Sequence, residues 1–182
     1  MHKFKIAVAA LVTWALLALA APAASDSTAS LLDQLRLADP ADAKKIEREI
    51  RLDWAKSGSP ALDLLLKRGK DALEAGDLDL AIGHLTALTD HGPDFAEGWH
   101  TRAMAFFQQE RYGLAVHDLE RTLALNPDHF AAIYGLAIVF ESLERQDEAY
   151  KLYQMVLALH PNHEESQKAV DRLQTRVTGS DL

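Results

Sequence analysis

Cysteine is absent from the 182 residues, and with it go disulfides, thiolate metal sites and cysteine nucleophiles. Basic charge is scarce. The 19 Lys and Arg residues face 27 Asp and Glu, for a formal net charge of −8. No run of Lys or Arg supplies the basic face that phosphate neutralisation requires, which excludes a general nucleic-acid binder. A glycine-rich phosphate loop is missing too. The one long apolar run, residues 6–20, is uncharged but only 15 residues long, short of the roughly 20 that a membrane-spanning helix needs.

That run has the shape of an export leader. Lys3 and Lys5 precede it, and small residues from Ala18 to Ala24 follow it. The pattern predicts a signal peptide over residues 1–24, cleaved after Ala20, Ala23 or Ala24. Without a lipobox cysteine the product is not a lipoprotein. Loss of the two lysines takes the formal charge from −8 to −10. The mature chain is therefore expected to be periplasmic or secreted, acidic, and free of stable membrane insertion, with length enough for one substantial core.

The strongest positive signal is a period. Pro93, Pro127 and Pro161 recur every 34 residues, and Ala81, Ala115 and Ala149 keep the same step, each 12 residues before its proline. A doubly anchored period of this length marks a repeat architecture. The units fall at 62–95, 96–129 and 130–163. Each first helix carries a small residue (Gly69, Ala103, Ala137), and in each second helix the alanine is followed four residues later by Leu85, Leu119 or Tyr153. Antiparallel helices approach closely only where small side chains meet, with bulk filling the space on either side. The prolines lack the N–H that would continue a helix, so each forces a turn into the next unit. Polar pairs such as Gly76-Asp77 and Glu110-Arg111 fit the short turns within units.

The flanks differ. Residues 25–30 read as a polar spacer. Leu31, Leu32 and Leu35 predict a short helix ending near Asp39, which caps a second one starting at Pro40. Ile46, Ile50 and Trp54 form a narrow apolar stripe on that second helix, which is expected to stop at Gly58. Residues 25–58 thus make a spacer and a helical hairpin, and Ser59-Pro60 starts the repeats. After His163, a last helix capped by Asn162 offers one apolar face (Ala169, Val170, Leu173, Val177), as the open end of a solenoid requires, before a tail at 178–182.

No residue set supports a reaction. Ser57-Gly58-Ser59 lies between helices and lacks the strand-to-helix setting of a nucleophile elbow, and the acids fall on solvated helix faces. His160 and His163 stand three apart, but Pro161 breaks the helix between them, so they do not share the face of a metal-binding pair. His129 and His163 occupy equivalent repeat positions, which points to a structural or solvent-exposed role. No catalytic residue, cofactor or metal ligand is assigned.

Over residues 61–163 the chain resembles the tetratricopeptide repeat (TPR) family. The match is carried by Trp99, Ala103, Phe106, Ala115 and Pro127, and again by Ala137, Phe140, Ala149, Tyr153 and Pro161. The first unit departs, with Leu65 and Ala72 for aromatics, but keeps Gly69, Ala81 and Pro93. The texture from Trp54 onward is similar to small exported proteobacterial TPR proteins. The resemblance implies an all-α fold: a three-repeat, right-handed α-solenoid with an N-terminal helical hairpin and a C-terminal capping helix.

It also implies a concave, partner-binding groove lined by Leu66, Lys70 and Leu73, by His100, Met104 and Phe107, and by Tyr134, Ile138 and Glu141. The positions that grip acidic C-terminal tails elsewhere in the family read Leu66, Lys70, Thr101, Ala131 and Gly135 here, which argues against a carboxylate clamp. Three uses of the apolar stripe stay open: a partner groove, coverage by the N-terminal hairpin, or core and dimer contact. The expected function is a non-enzymatic scaffold binding a peptide or helix of a partner protein, with Met104, Phe107, Tyr134 and Ile138 as anchors and Lys70, His100 and Glu141 setting polar specificity. The alternative is a self-associating assembly factor of the cell envelope, a homodimer through the same patch.

Overall fold

A computed structural model describes residues 24–177. The expected leader, apart from Ala24, and the tail at 178–182 lie outside the described residues. Within them the chain is all helix: α1 (Ala24–Leu37), α2 (Pro40–Trp54), α3 (Pro60–Glu74), α4 (Leu78–His91), α5 (Ala96–Gln108), α6 (Tyr112–Leu125), α7 (Phe130–Ser142), α8 (Gln146–Leu159) and α9 (Glu164–Val177). Helices α3 and α4, α5 and α6, and α7 and α8 pack as pairs, and each pair stacks on the next to build a solenoid that α9 closes. No described helix is long and apolar enough to cross a membrane.

The small residues sit at the tightest contacts. A β-carbon on Gly69 would come within 2.5 Å of Leu85 Cγ, and Ala81, Ala103, Ala115, Ala137 and Ala149 are all 0–1 % exposed. The turn inside each pair repeats one unusual conformation: Gly76, Glu110 and Glu144 have φ of 75°, 58° and 60°. Glycine takes that left-handed shape freely, whereas a side chain pays for it. The geometry recurs because the packing of each pair demands it.

The hairpin α1–α2 does not stand apart from the repeats. Its Leu32, Leu35, Ala43 and Ile50 share one buried cluster with Phe130, Ala131, Ile133 and Val156 of α7 and α8. Successive turns of α2 meet successive parts of the solenoid edge. Trp54 stacks on His129 with centroids 4.1 Å apart, Glu47 faces His160 at 3.4 Å, and Lys44 pairs with Glu164 at 3.2 Å. From the opposite side, Asn162 Nδ2 donates to the Ala38 carbonyl at 2.8 Å.

Several local expectations change. The spacer at 25–30 is already helical, within α1. Helix α2 ends at Trp54, with Ala55 as its closing residue, and Gly58 (φ 78°) turns in the following loop. Ser59 makes no side-chain cap. Instead Asp63 accepts from the Ser57 amide at 2.9 Å, pulling the loop onto the first turn of α3. Asn162 is spent on Ala38, so α9 is capped by His163, whose Nδ1 accepts from the Ser166 amide at 3.2 Å.

Two substitutions test this packing. Ala115→Leu puts bulk into the closest contact of the central pair and should cost on the order of 1–3 kcal/mol. Phe130→Ala, at a fully buried side chain that joins hairpin to repeats, should cost about 3–5 kcal/mol. Urea melts followed by circular dichroism measure both, and a neutral Ala115→Leu would put the repeat register out of place.

Candidate functional site

Helices α5 and α7 supply most of the wall of an open cavity of about 370 Å³. His100, Ala103, Met104, Phe107 and Gln108 come from α5, and Ala131, Tyr134, Gly135, Ile138 and Val139 from α7. Leu119 of α6 and Arg51 of α2 complete it. The side chains recur every three or four residues, which places them on one face of each helix. Met104 is 43 % exposed. Phe107 is held against Tyr112 at 5.7 Å between ring centroids, and Tyr134 between Tyr153 at 5.8 Å and His163 at 4.7 Å. Phe107 and Tyr134 are thus braced by neighbouring rings. Arg51 is the only charged residue of the lining other than a histidine. Its Nε donates to Glu47 at 2.8 Å, and its guanidinium carbon lies 5.5 Å from the centre of the Phe130 ring.

Five of the nine residues that the family register puts in the groove line this cavity: His100, Met104, Phe107, Tyr134 and Ile138. The other four lie elsewhere. Leu66 is 3 % exposed in the α3–α4 core, and Leu73 packs against the same cluster. Lys70 reaches across to Glu97, with Nζ to Oε1 at 2.6 Å. Glu141 accepts from the Tyr153 hydroxyl at 3.0 Å and pairs with Arg172 of α9. Among the tail-gripping positions, Ala131 and Gly135 line the cavity, and the one basic residue, Lys70, is turned to an internal acid. Arg51 and Gln108 were missed. Arg51 lies outside the repeats, so no repeat register could reveal it.

Beside the cavity lies a buried carboxylate that the sequence reading also missed. Glu97 is 8 % exposed. Its Oε2 lies 3.2 Å from both His100 Nδ1 and His129 Nε2, while Lys70 holds Oε1. In sequence it looks like a first-turn acid placed to suit the α5 dipole, and its partners lie as far as 32 residues away. His129 is not solvent-exposed: at 1 % exposure it caps α7, with Nδ1 accepting from the Ala132 amide at 3.1 Å. Accepting there places its proton on Nε2, which donates to Glu97.

Burial alone would raise the Glu97 pKa. Hydrogen bonds from His100 and His129, with the charges of His100 and Lys70, outweigh it and hold the carboxyl well below its ordinary range. Burial pushes His129 the other way, down to about 4, although Glu97 pulls its proton in.

One ligand atom each from Glu97, His100 and His129 falls within a 4.8 Å span, compact enough for a metal ion. The proton count opposes it. A metal-bound Nε2 would leave Nδ1 carrying the proton and facing the Ala132 N–H, and the α7 cap would be lost. Lys70 also occupies the carboxylate as a cation would.

These charges set a pH dependence. Between about pH 6.5 and 4 the unfolded chain carries a His129 proton that the folded chain refuses, so stability should fall as pH drops through that window. Glu97 adds to the loss below the ordinary carboxylate pKa of about 4.3. Glu97→Ala strands His100, His129 and Lys70 and should cost on the order of 3 kcal/mol at neutral pH. Denaturant melts from pH 7.5 to 4 read both effects. A melting midpoint moved upward by zinc would overturn the proton count.

A family model described as tetratricopeptide repeat matches residues 66–115 and 100–164. A TPR repeat-containing protein of Rhizobium etli is 32% identical over 162 residues, which is 86% of this chain and 79% of that protein. The small glutamine-rich tetratricopeptide repeat-containing protein 2 of Saccharomyces cerevisiae is 27% identical over 140 residues, 72% of this chain but 40% of the yeast protein. Among solved structures, the first TPR of Spaghetti (RPAP3), bound to the HSP90 peptide SRMEEVD, superposes with a TM-score of 0.63 at 26% identity, covering 66% of this chain and 95% of that one. The MamA crystal structure gives a TM-score of 0.61 at 22% identity over 75% and 84% of the two chains, a likeness of fold alone. With the 34-residue step, the paired helices and these matches in agreement, the chain belongs to the tetratricopeptide repeat family.

Proposed function

We propose that this protein is an exported, non-enzymatic scaffold that holds a peptide segment or helix of a partner protein in the cavity between α5 and α7. The observation that carries this is the convergence of Met104, Phe107, Tyr134 and Ile138 on one open space of about 370 Å³. That volume suits one or two bulky side chains of a partner, and Phe107 and Tyr134 are braced by neighbouring rings. Preformed anchors lose little freedom on binding, which is where affinity is otherwise spent. The RPAP3 structure supports the reading, because a related repeat array is seen there with a peptide bound.

The lining here is mostly apolar, so the occupant should be an apolar segment, with His100, Gln108 and Arg51 setting its polar contacts. Two titratable groups of the lining are engaged in structural bonds: His100 with Glu97, and Arg51 with Glu47. Neither pairing offers a nucleophile to a substrate, which supports binding rather than chemistry. Export rests on the leader pattern of residues 1–24.

Phe107→Ala combined with Tyr134→Ala should abolish capture of partners from the exported fraction while leaving helical content unchanged. Pull-down with the mature chain as bait, beside circular dichroism, measures both. Recovery of the same partners by the double variant would place binding elsewhere.

A further inference from the structure

Three histidines lie beneath the α1–α2 hairpin, all at 8 % exposure or less: His129, His160 and His163. Each meets charged or aromatic groups from several elements. His129 stacks on Trp54 of α2, with Arg51 of the same helix over the neighbouring Phe130. From α5 it faces Glu97 and His100, and Lys70 of α3 reaches it through Glu97. His160 meets Glu47 of α2, and its ring lies edge-on to Phe130 and to His163. Around His163 stand His160, Glu165 of α9, the Tyr134 ring, and the charges of Glu47 and Arg51.

Protonation has a defined cost at His129 and His163. On His129 and His163, Nδ1 accepts the amide that starts α7 and α9 respectively. A proton there turns an acceptor into a donor aimed at another N–H. We propose that the hairpin is an acid-sensitive latch: protonation of His129 and His163 loosens its seat on α7, α8 and α9 and removes the Arg51 wall from the groove.

The electrostatics agree in sign. Burial brings His129 down to about 4 against the pull of Glu97, and burial together with the charge of His160 lowers His163. Glu47, hydrogen-bonded to His160 and Arg51, is held down near 2 despite partial burial and stays ionised throughout. The docked hairpin therefore refuses protons that a released one accepts, so docking weakens as pH falls from about 6.5 towards 4. The effect on the groove rests on the binding role proposed above, whereas release of the hairpin does not.

Amide hydrogen exchange on the full chain, corrected for intrinsic rates, tests the latch without any partner. Between pH 7 and pH 4.5, protection in α1 and α2 should fall by about tenfold or more while α5 and α6 stay within about threefold. In His129→Asn/His163→Asn, asparagine keeps a capping acceptor without titrating, and the fall should shrink to less than about threefold. Unchanged protection in the hairpin would overturn the proposal. So would simultaneous loss across all helices, or an unaltered transition in the double variant. If that variant does not fold at pH 7, the wild-type profile decides alone.

Discussion

Everything in this molecule depends on how closely the two helices of a pair can approach. At Gly69 there is no room for even a β-carbon before Leu85 intervenes, and the corresponding alanines are sealed from solvent. That contact fixes the angle within each pair, and the pair fixes where the next turn must fall. The left-handed residue recurs at Gly76, Glu110 and Glu144 because the turn has no other way to bring the second helix back. Two of the three are glutamates, so packing gains outweigh a local backbone cost of about 1–2 kcal/mol.

A second constraint works at the edges of the pairs, where polar groups must be buried. The chain meets it with charge networks that span repeats. Arg102 holds Asp118 by two hydrogen bonds of 2.7 and 2.9 Å and also reaches Thr89, while its guanidinium lies 4.9 Å from the Trp99 ring centre. Glu97 gathers groups from α3, from α5 and from the cap of α7. Such networks stabilise little by themselves, since desolvation offsets much of the attraction. They are costly to break, however, and so they hold neighbouring pairs in one relative position. The groove between α5 and α7 inherits its shape from this. His100 serves both sides, as a partner of Glu97 and as a wall of the cavity.

The solenoid was legible in the sequence because repetition makes the packing rule visible three times over. The cavity was legible only in part. His100, Met104, Phe107, Tyr134 and Ile138 could be placed from register, because α5 and α7 belong to regular repeats. Leu66 and Leu73 could not be told from groove residues, since an inner-face position in the first unit is also a core position when its neighbours are aliphatic. Lys70 and Glu141 look like free charges until their partners, 27 and 31 residues away, are known. Arg51 and the stack of Trp54 on His129 depend on where a non-repeating hairpin docks. No periodicity encodes that. The hairpin covers Phe130, Ala131, Ile133 and Val156 of α7 and α8, while Met104, Phe107, Tyr134 and Ile138 line the open cavity beside it.

The path of α2 along the turn edge changes what kind of object the array is. A linear repeat protein holds together through neighbours only, so its last unit can fray without consulting the first. Here the Ala38 carbonyl is bonded to Asn162, a separation of 124 residues, and α2 then leads directly into the first pair. The chain is closed into a ring of contacts without a covalent link. Opening it at α1 or at α9 disturbs the hairpin seat, so the first and last described helices share one fate, and a spring-like solenoid becomes a clasped one.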